Sequence, residues 1–181
     1  MADDLSKMLT VMISSTARDL PEHRRQVMDA CLAQGMLPKA MEHLPASDAD
    51  AMKISRQMVD QTDIYLGVIA FRYGHVPAGH SISITEMEYN RAIERGIPCL
   101  IFFMHEDHLL KAADVEKGKG AVRLDQFKKR LGKAHVVNFF RSPEDLRAHV
   151  INSLSQFRSA ELLSRKICSG RRSALCLTVW P

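Results

Sequence analysis

Five polar residues fall where apolar segments end: Ser14 and Ser15, Arg72 and Tyr73, and Glu88. At the carboxyl edge of an open α/β sheet such groups converge on one crevice. Serine hydroxyls and loop amides there can hold a ribose or a phosphate. The planar fork of Arg72 suits a phosphate or a carboxylate. A glutamate beside a sugar's anomeric carbon can stabilise the cation that forms there or attack it, a chemistry that needs no metal. Each group also has a purely structural reading. Thr85-Glu86-Met87-Glu88 has capping-box spacing, in which Glu88 bonds back to the Thr85 amide. Ser14-Ser15-Thr16 can end a strand through hydroxyl-to-backbone bonds, Arg72 can merely cover a loop, and Tyr73-Gly74 can merely turn the chain. Glu86 falls on a different helix face from Glu88, either solvated or flanking the crevice.

Placing these groups together requires a strand before each. Met8 to Ser14 is apolar and β-branched and reads as a first strand. Asp19-Leu20-Pro21-Glu22 then predicts a helix start, with Asp19 as cap and Glu22 completing a capping box, and Gly35 predicts its stop. Met36 to Ala40 is a short second strand, Glu42 to Asp50 a loop, and Ala51 to Thr62 a helix. Asp63 to Ala70 is almost wholly apolar, as a strand buried on both faces should be. After the Thr85 helix come the strand Pro98 to Phe103, a charged connection over 104–120, a helix over Val122 to Leu131 and a last strand over His135 to Phe139. Ser142-Pro143-Glu144-Asp145 opens a long terminal helix, which Ser169-Gly170-Arg171-Arg172 should break. The alternation predicts a flavodoxin-like, doubly wound, mainly parallel five-stranded sheet with helices on both faces.

The chain of 181 residues suits one domain, and 46% hydrophobic with 25% charged residues is an ordinary globular balance. No run approaches the ~18 apolar residues of a membrane span. The acidic Met1-Ala2-Asp3-Asp4 lacks a signal-peptide layout, so a cytoplasmic location is expected. Cys31 and Cys99 sit in apolar elements and are expected to be reduced and buried. His105-Glu106-Asp107-His108 reads as a polar loop rather than a zinc site, Gly118-Lys119-Gly120 lacks the length of a P-loop, and the 10 methionines read as core filler. The net charge of +4 arises from Arg165, Lys166, Arg171 and Arg172; without them 21 basic residues face 21 acidic ones. The division expected is therefore an α/β domain over 1–164 and a basic tail over 165–181, disordered or an extra edge element. Nucleic acid is not an expected partner.

Five motifs, in order, carry a family likeness: Val11-Met12-Ile13-Ser14-Ser15-Thr16 with Arg18-Asp19-Leu20; Met41-Glu42 with Pro45-Ala46-Ser47-Asp48; Asp63-Ile64-Tyr65-Leu66-Gly67; Arg72-Tyr73-Gly74; and Ser83-Ile84-Thr85-Glu86 with Glu88-Tyr89. Over about residues 8 to 104 the chain resembles the domain of unknown function numbered four-zero-six-two. The resemblance implies an N-terminal module of NTPase and repeat proteins in signalling or defence. More distantly the layout is similar to Toll/interleukin-receptor (TIR) domains and to nucleoside 2-deoxyribosyltransferases. In the transferases the active glutamate precedes an alanine-containing turn and a Gly-x-Pro strand entry. Glu88, followed by Ala92 and Gly96-Ile97-Pro98, matches that spacing better than Glu86. Ser81 to Thr85 replaces the transferases' Asp-x-Gly-Thr approach, so their substrate recognition does not carry over.

Two readings follow. In the first, the domain is an N-glycosidase acting on NAD or another nucleotide as substrate, with no cofactor or metal. Glu88 is its catalytic residue, and Ser14, Ser15, Arg18, Arg72, Tyr73 and Glu86 are its substrate-binding residues. In the second, it is a non-catalytic signalling module that self-associates or relays the state of an attached NTPase; fold does not decide between them.

Overall fold

The computed structural model describes residues 8–16, 19–41, 51–108 and 114–174, with side chains as far as Leu163. The elements in chain order are β1 (Thr10–Ser15), α1 (Pro21–Ala33), β2 (Leu37–Lys39), α2 (Ala51–Asp60) and β3 (Ile64–Ile69). They continue with α3 (Ile84–Glu94), β4 (Cys99–Met104), α4 (Lys119–Ala134), β5 (Val137–Phe140) and α5 (Pro143–Ala174). The strands form one five-stranded sheet in the order β2-β1-β3-β4-β5, every pair parallel. That order is flavodoxin-like and reverses between β1 and β3, where Ser14 stands beside Gly67 and Ser15 beside Val68.

Side-chain alternation along each strand divides the interior into two cores. Val11 and Ile13 of β1 and Ile64, Leu66 and Val68 of β3 face α1 and α5, where Val27, Ala30, Cys31, Leu146, Val150 and Leu154 meet them. Met12, Tyr65, Ile69, Ile101 and Phe103 face α2, α3 and α4, packing on Val59, Tyr89, Ala92, Phe127 and Leu131. Every residue of β3 is buried, as a central strand covered on both faces requires. Cys31 is free and buried, and burial pushes its thiol up to about 12; Cys99, also free, is half-buried and raised to about 11 for the same reason.

Several predicted helix boundaries change; the helix expected over Val122 to Leu131 runs three residues further at each end, as Lys119–Ala134. Asp19 does not cap α1: Leu20 is the N-cap and no side chain bonds the first turn. Pro21 holds the first helical positions, which leaves Asp19 too early to cap. Leu20, fully buried, anchors the entry instead, and Glu22 accepts from Arg25 at 2.7 Å. The predicted break after Cys168 is also absent, because the α5 backbone runs on through Gly170 to Ala174. One interior glycine costs a helix only about 1 kcal/mol. The loop expected over 42–50 and the last residues, 175–181, lie outside the described residues. Gly35, at φ 66°, ends the α1 segment as expected. At the sheet's β2 edge the Leu37 amide donates inward to the Leu9 carbonyl at 2.8 Å, so Pro38 presents its nitrogen to the outer side. Among the described residues no helix is long and apolar enough to cross a membrane.

His23 of α1 is only 6% exposed, tilted against Phe140 and edge-on to His108 at 5.2 Å. Burial, reinforced by His108 and opposed by Glu144 and Glu22, lowers its pKa to about 4. The folded state thus resists a proton that the unfolded chain accepts near 6.5, so this contribution is complete above 6.5 and lost as pH falls towards 4. Urea unfolding at pH 7 and pH 4.5 should show His23→Leu losing about 2–3 kcal/mol less than the parent chain on acidification. Parallel losses in the two proteins would contradict it.

Candidate functional site

Glu88 is the organising side chain. Helix α3 begins after Ser83, whose Oγ accepts the Glu86 amide at 3.3 Å. Thr85 therefore lies inside the first turn, and the Thr85–Glu88 capping box does not form. The physical reason lies next door: the Tyr73 hydroxyl accepts the Ser83 amide at 3.3 Å, fixing the N-cap two residues earlier. Released from the helix start, the Glu88 carboxylate turns towards the sheet. Its Oε2 accepts from the Ser14 hydroxyl at 2.5 Å and its Oε1 from the Ser55 hydroxyl at 2.6 Å. The residue is 6% exposed. Burial raises its pKa, and the two hydroxyls and, more remotely, Arg24 oppose that rise.

The carboxylate borders a cleft of about 850 Å³ at the carboxyl ends of β1 and β3. Arg24, Arg72, Ser15 and Thr16 supply its polar wall, and Ile13, Met41, Val76 and Ile84 supply its apolar wall. Arg24 is buried and donates to the Ser15 hydroxyl at 2.5 Å. Gly74 brings the loop after β3 within close range: at φ 91° it takes a backbone shape that L side chains rarely adopt. A Cβ there would stand 3.2 Å from the Thr16 methyl and 3.4 Å from the Thr85 hydroxyl. Among the described lining residues Glu88 is the sole carboxylate, without the second carboxyl group that a paired acid/base glycosidase uses. Among the described residues no group of three His, Cys, Asp or Glu side chains could hold a metal.

The predicted site residues separate into two places. Glu88, Ser15 and Arg72 meet at the cleft, and Ser14 stands behind Glu88, 1% exposed. Tyr73 and Glu86 do not join them. The Tyr73 hydroxyl donates to Glu86 at 2.5 Å, and Arg130 of α4 pairs with the other Glu86 oxygen at 2.9 Å. Neither solvated nor flanking the crevice, Glu86 ties α3 to α4. Arg18 lies outside the described residues. Two residues escaped sequence reasoning, Ser55 and Arg24. Each left a faint signal, as a polar residue at helical spacing from buried apolar ones: Ser55 before Met58 and Val59, Arg24 before Val27 and Cys31.

Fold and site together define a doubly wound α/β domain with a buried carboxylate at its topological switch point. The chain belongs to the family described as Domain of unknown function (DUF4062), which matches residues 10–155 and so extends well past the motif-bearing stretch. Among solved structures it is similar to a chain of "Structure of the activated Roq1 resistosome directly recognizing the pathogen effector XopQ (TIR domains)". Identity is 11%, with 81% of this chain and 84% of that one covered, at a TM-score of 0.43. No curated protein matches.

Because its folded pKa is raised, ionised Glu88 weakens the fold as pH climbs above the unfolded value near 4.5. Glu88→Gln, which keeps an acceptor for a serine and removes the charge, should be at least as stable as the parent at pH 8. Glu88→Ala should lose about 2–4 kcal/mol through the hole and two orphaned hydroxyls. Denaturant titrations at pH 5 and pH 8 check both, and a Gln variant weaker at pH 8 than at pH 5 relative to the parent would reverse the sign.

Proposed function

We propose that this domain is an N-glycosidase on a nucleotide, with NAD as the first candidate substrate. The reading is carried by one observation: a hydroxyl-braced carboxylate borders a cleft that also presents two arginines. Nicotinamide is bound to ribose as a cation and departs neutral when the C1′–N bond breaks with its electron pair. The leaving group therefore needs no general acid, and one carboxylate suffices. Glu88 stabilises the ribosyl cation electrostatically, gaining most in a water-poor site. Water then adds to C1′ and releases a proton, so NAD and water become ADP-ribose, nicotinamide and H⁺. Arg72 and Arg24 supply charge for the pyrophosphate, with Ser15 beside them, while Met41 and Val76 offer apolar surface to a base.

The same geometry supports a second reading. Both Glu88 oxygens already accept a hydrogen bond, so the carboxylate also serves as a brace joining β1, α2 and α3. On that reading the domain is a non-catalytic signalling module that works by self-association or with an attached NTPase.

Chromatographic assay of nicotinamide, with the chain at high concentration and NAD in excess, distinguishes them. The glycosidase should release nicotinamide, and Glu88→Gln should reduce the rate by about 10²–10³-fold while remaining folded. Arg72→Ala should raise KM more than it lowers kcat. A folded parent chain that leaves NAD and other nucleotides intact would sink the catalytic reading in favour of the module.

A further inference from the structure

A second cavity, of about 760 Å³, opens at the carboxyl ends of β4 and β5, apart from the Glu88 cleft. Its walls are aromatic. Phe71, Phe103 and Phe139 line it, and the Phe103 and Phe139 rings meet edge to face at 5.8 Å. Phe139 is 53% exposed, so its ring offers apolar surface to an occupant. Helix α4 adds one charge to this apolar space. The Lys128 ammonium lies 4.8 Å from the centre of the Phe71 ring and 5.7 Å from that of Phe103. Among the described residues no carboxylate pairs with it. Asp125, the acid within reach on its own helix, holds Lys129 at 2.7 Å. Ring faces compensate only part of the hydration that Lys128 gives up, and burial lowers its pKa accordingly.

We propose that this cavity is a binding site for a small aromatic carboxylic acid, its ring among the three phenylalanines and its carboxylate on Lys128. The volume is that of an ordinary small-molecule site, which combines apolar walls with few polar anchors. A single negative charge fits better than a phosphate. Among the described lining residues only the Lys128 ammonium forms no ion pair, feeling Asp125 at longer range, and Glu106 on the wall would repel a multiply charged group. A carboxylate arriving at a half-desolvated ammonium forms a charge-assisted bond in a setting where water competes weakly. The site has a direct mechanical neighbour. Phe71 lines this cavity while the next residue, Arg72, lines the Glu88 cleft. The Glu116 amide donates to the Phe71 carbonyl at 2.7 Å and its carboxylate accepts the Tyr73 amide at 3.0 Å, which pins that short segment on both sides of Arg72. An occupant pressing on Phe71 thus bears on the backbone that carries Arg72.

The test uses 2-naphthoate and its uncharged analogue 2-naphthylmethanol, with the full chain, by calorimetry and amide chemical-shift mapping. Naphthoate should bind, shift the amides of Phe71, Phe103, Lys128 and Phe139, and bind about tenfold more tightly than the alcohol. Lys128→Met keeps the methylene stem, should fold normally, and should abolish that preference. Phe139→Ser removes an exposed ring without disturbing a core and should weaken both ligands. Absence of naphthoate binding, shifts confined to the Glu88 cleft, or an acid preference that survives Lys128→Met would each overturn the proposal. Because the readout is binding and shift location, it stands or falls independently of NAD turnover.

Discussion

A carboxylate sealed inside a sheet protein must be held by donors, and Glu88 is held by one from each side. Ser14 reaches it from the end of β1 and Ser55 from the middle of α2, 74 and 33 residues away along the chain. Left without those hydroxyls, the buried group would cost several kcal/mol or take up a proton. The contact thus fixes where α2 and α3 sit relative to the switch point, and the cleft's shape follows from that. Arg24 repeats the arrangement one step outward: a buried guanidinium on Ser15, the residue after Ser14. Polar pairing, rather than apolar packing, therefore sets the geometry of this end of the sheet.

The other constraint is the pleat. Period-two alternation sends neighbouring residues of β1 and β3 into different cores, one closed by α1 and α5 and the other by α2, α3 and α4. Ser14 belongs by register to the α2–α3 side, as Met12 does, and Ser15 points the other way. Successive serines therefore divide their work: one braces Glu88 from behind and the other lines the cleft with Arg24. A shift of one residue in the pairing of β1 would exchange those roles.

Most of the fold was legible because its cues are local. The wholly apolar Ile64–Ile69 run identifies a central strand, and Gly35 and Ser142 mark a helix end and a helix start. The start of α3 was ambiguous in principle. Ser83-x-x-Glu86 and Thr85-x-x-Glu88 both have capping-box spacing, and the Tyr73 hydroxyl on the Ser83 amide favours Ser83 as the cap. Glu88 was recognised as chemically interesting, but its partner Ser55 was not, since their meeting depends on packing two helices that no local pattern relates. Tyr73 was counted with the cleft beside Arg72, and Glu86 as solvated or flanking it, because chain adjacency does not show the Tyr73 hydroxyl and Arg130 of α4 meeting on Glu86. Asp19 failed as a cap because Pro21 moved the boundary.

Pro38 has a consequence for how copies of this domain can meet. In the three-residue strand β2 it is the residue turned outward, and proline has no amide hydrogen to offer a neighbouring chain. That rim of the sheet accepts through the Pro38 carbonyl but cannot donate there. The opposite rim, β5, keeps its donors and carries exposed Phe139 with Val136 beside it. A strand added at β2 would therefore receive no hydrogen bond from Pro38, whereas β5 contains no proline.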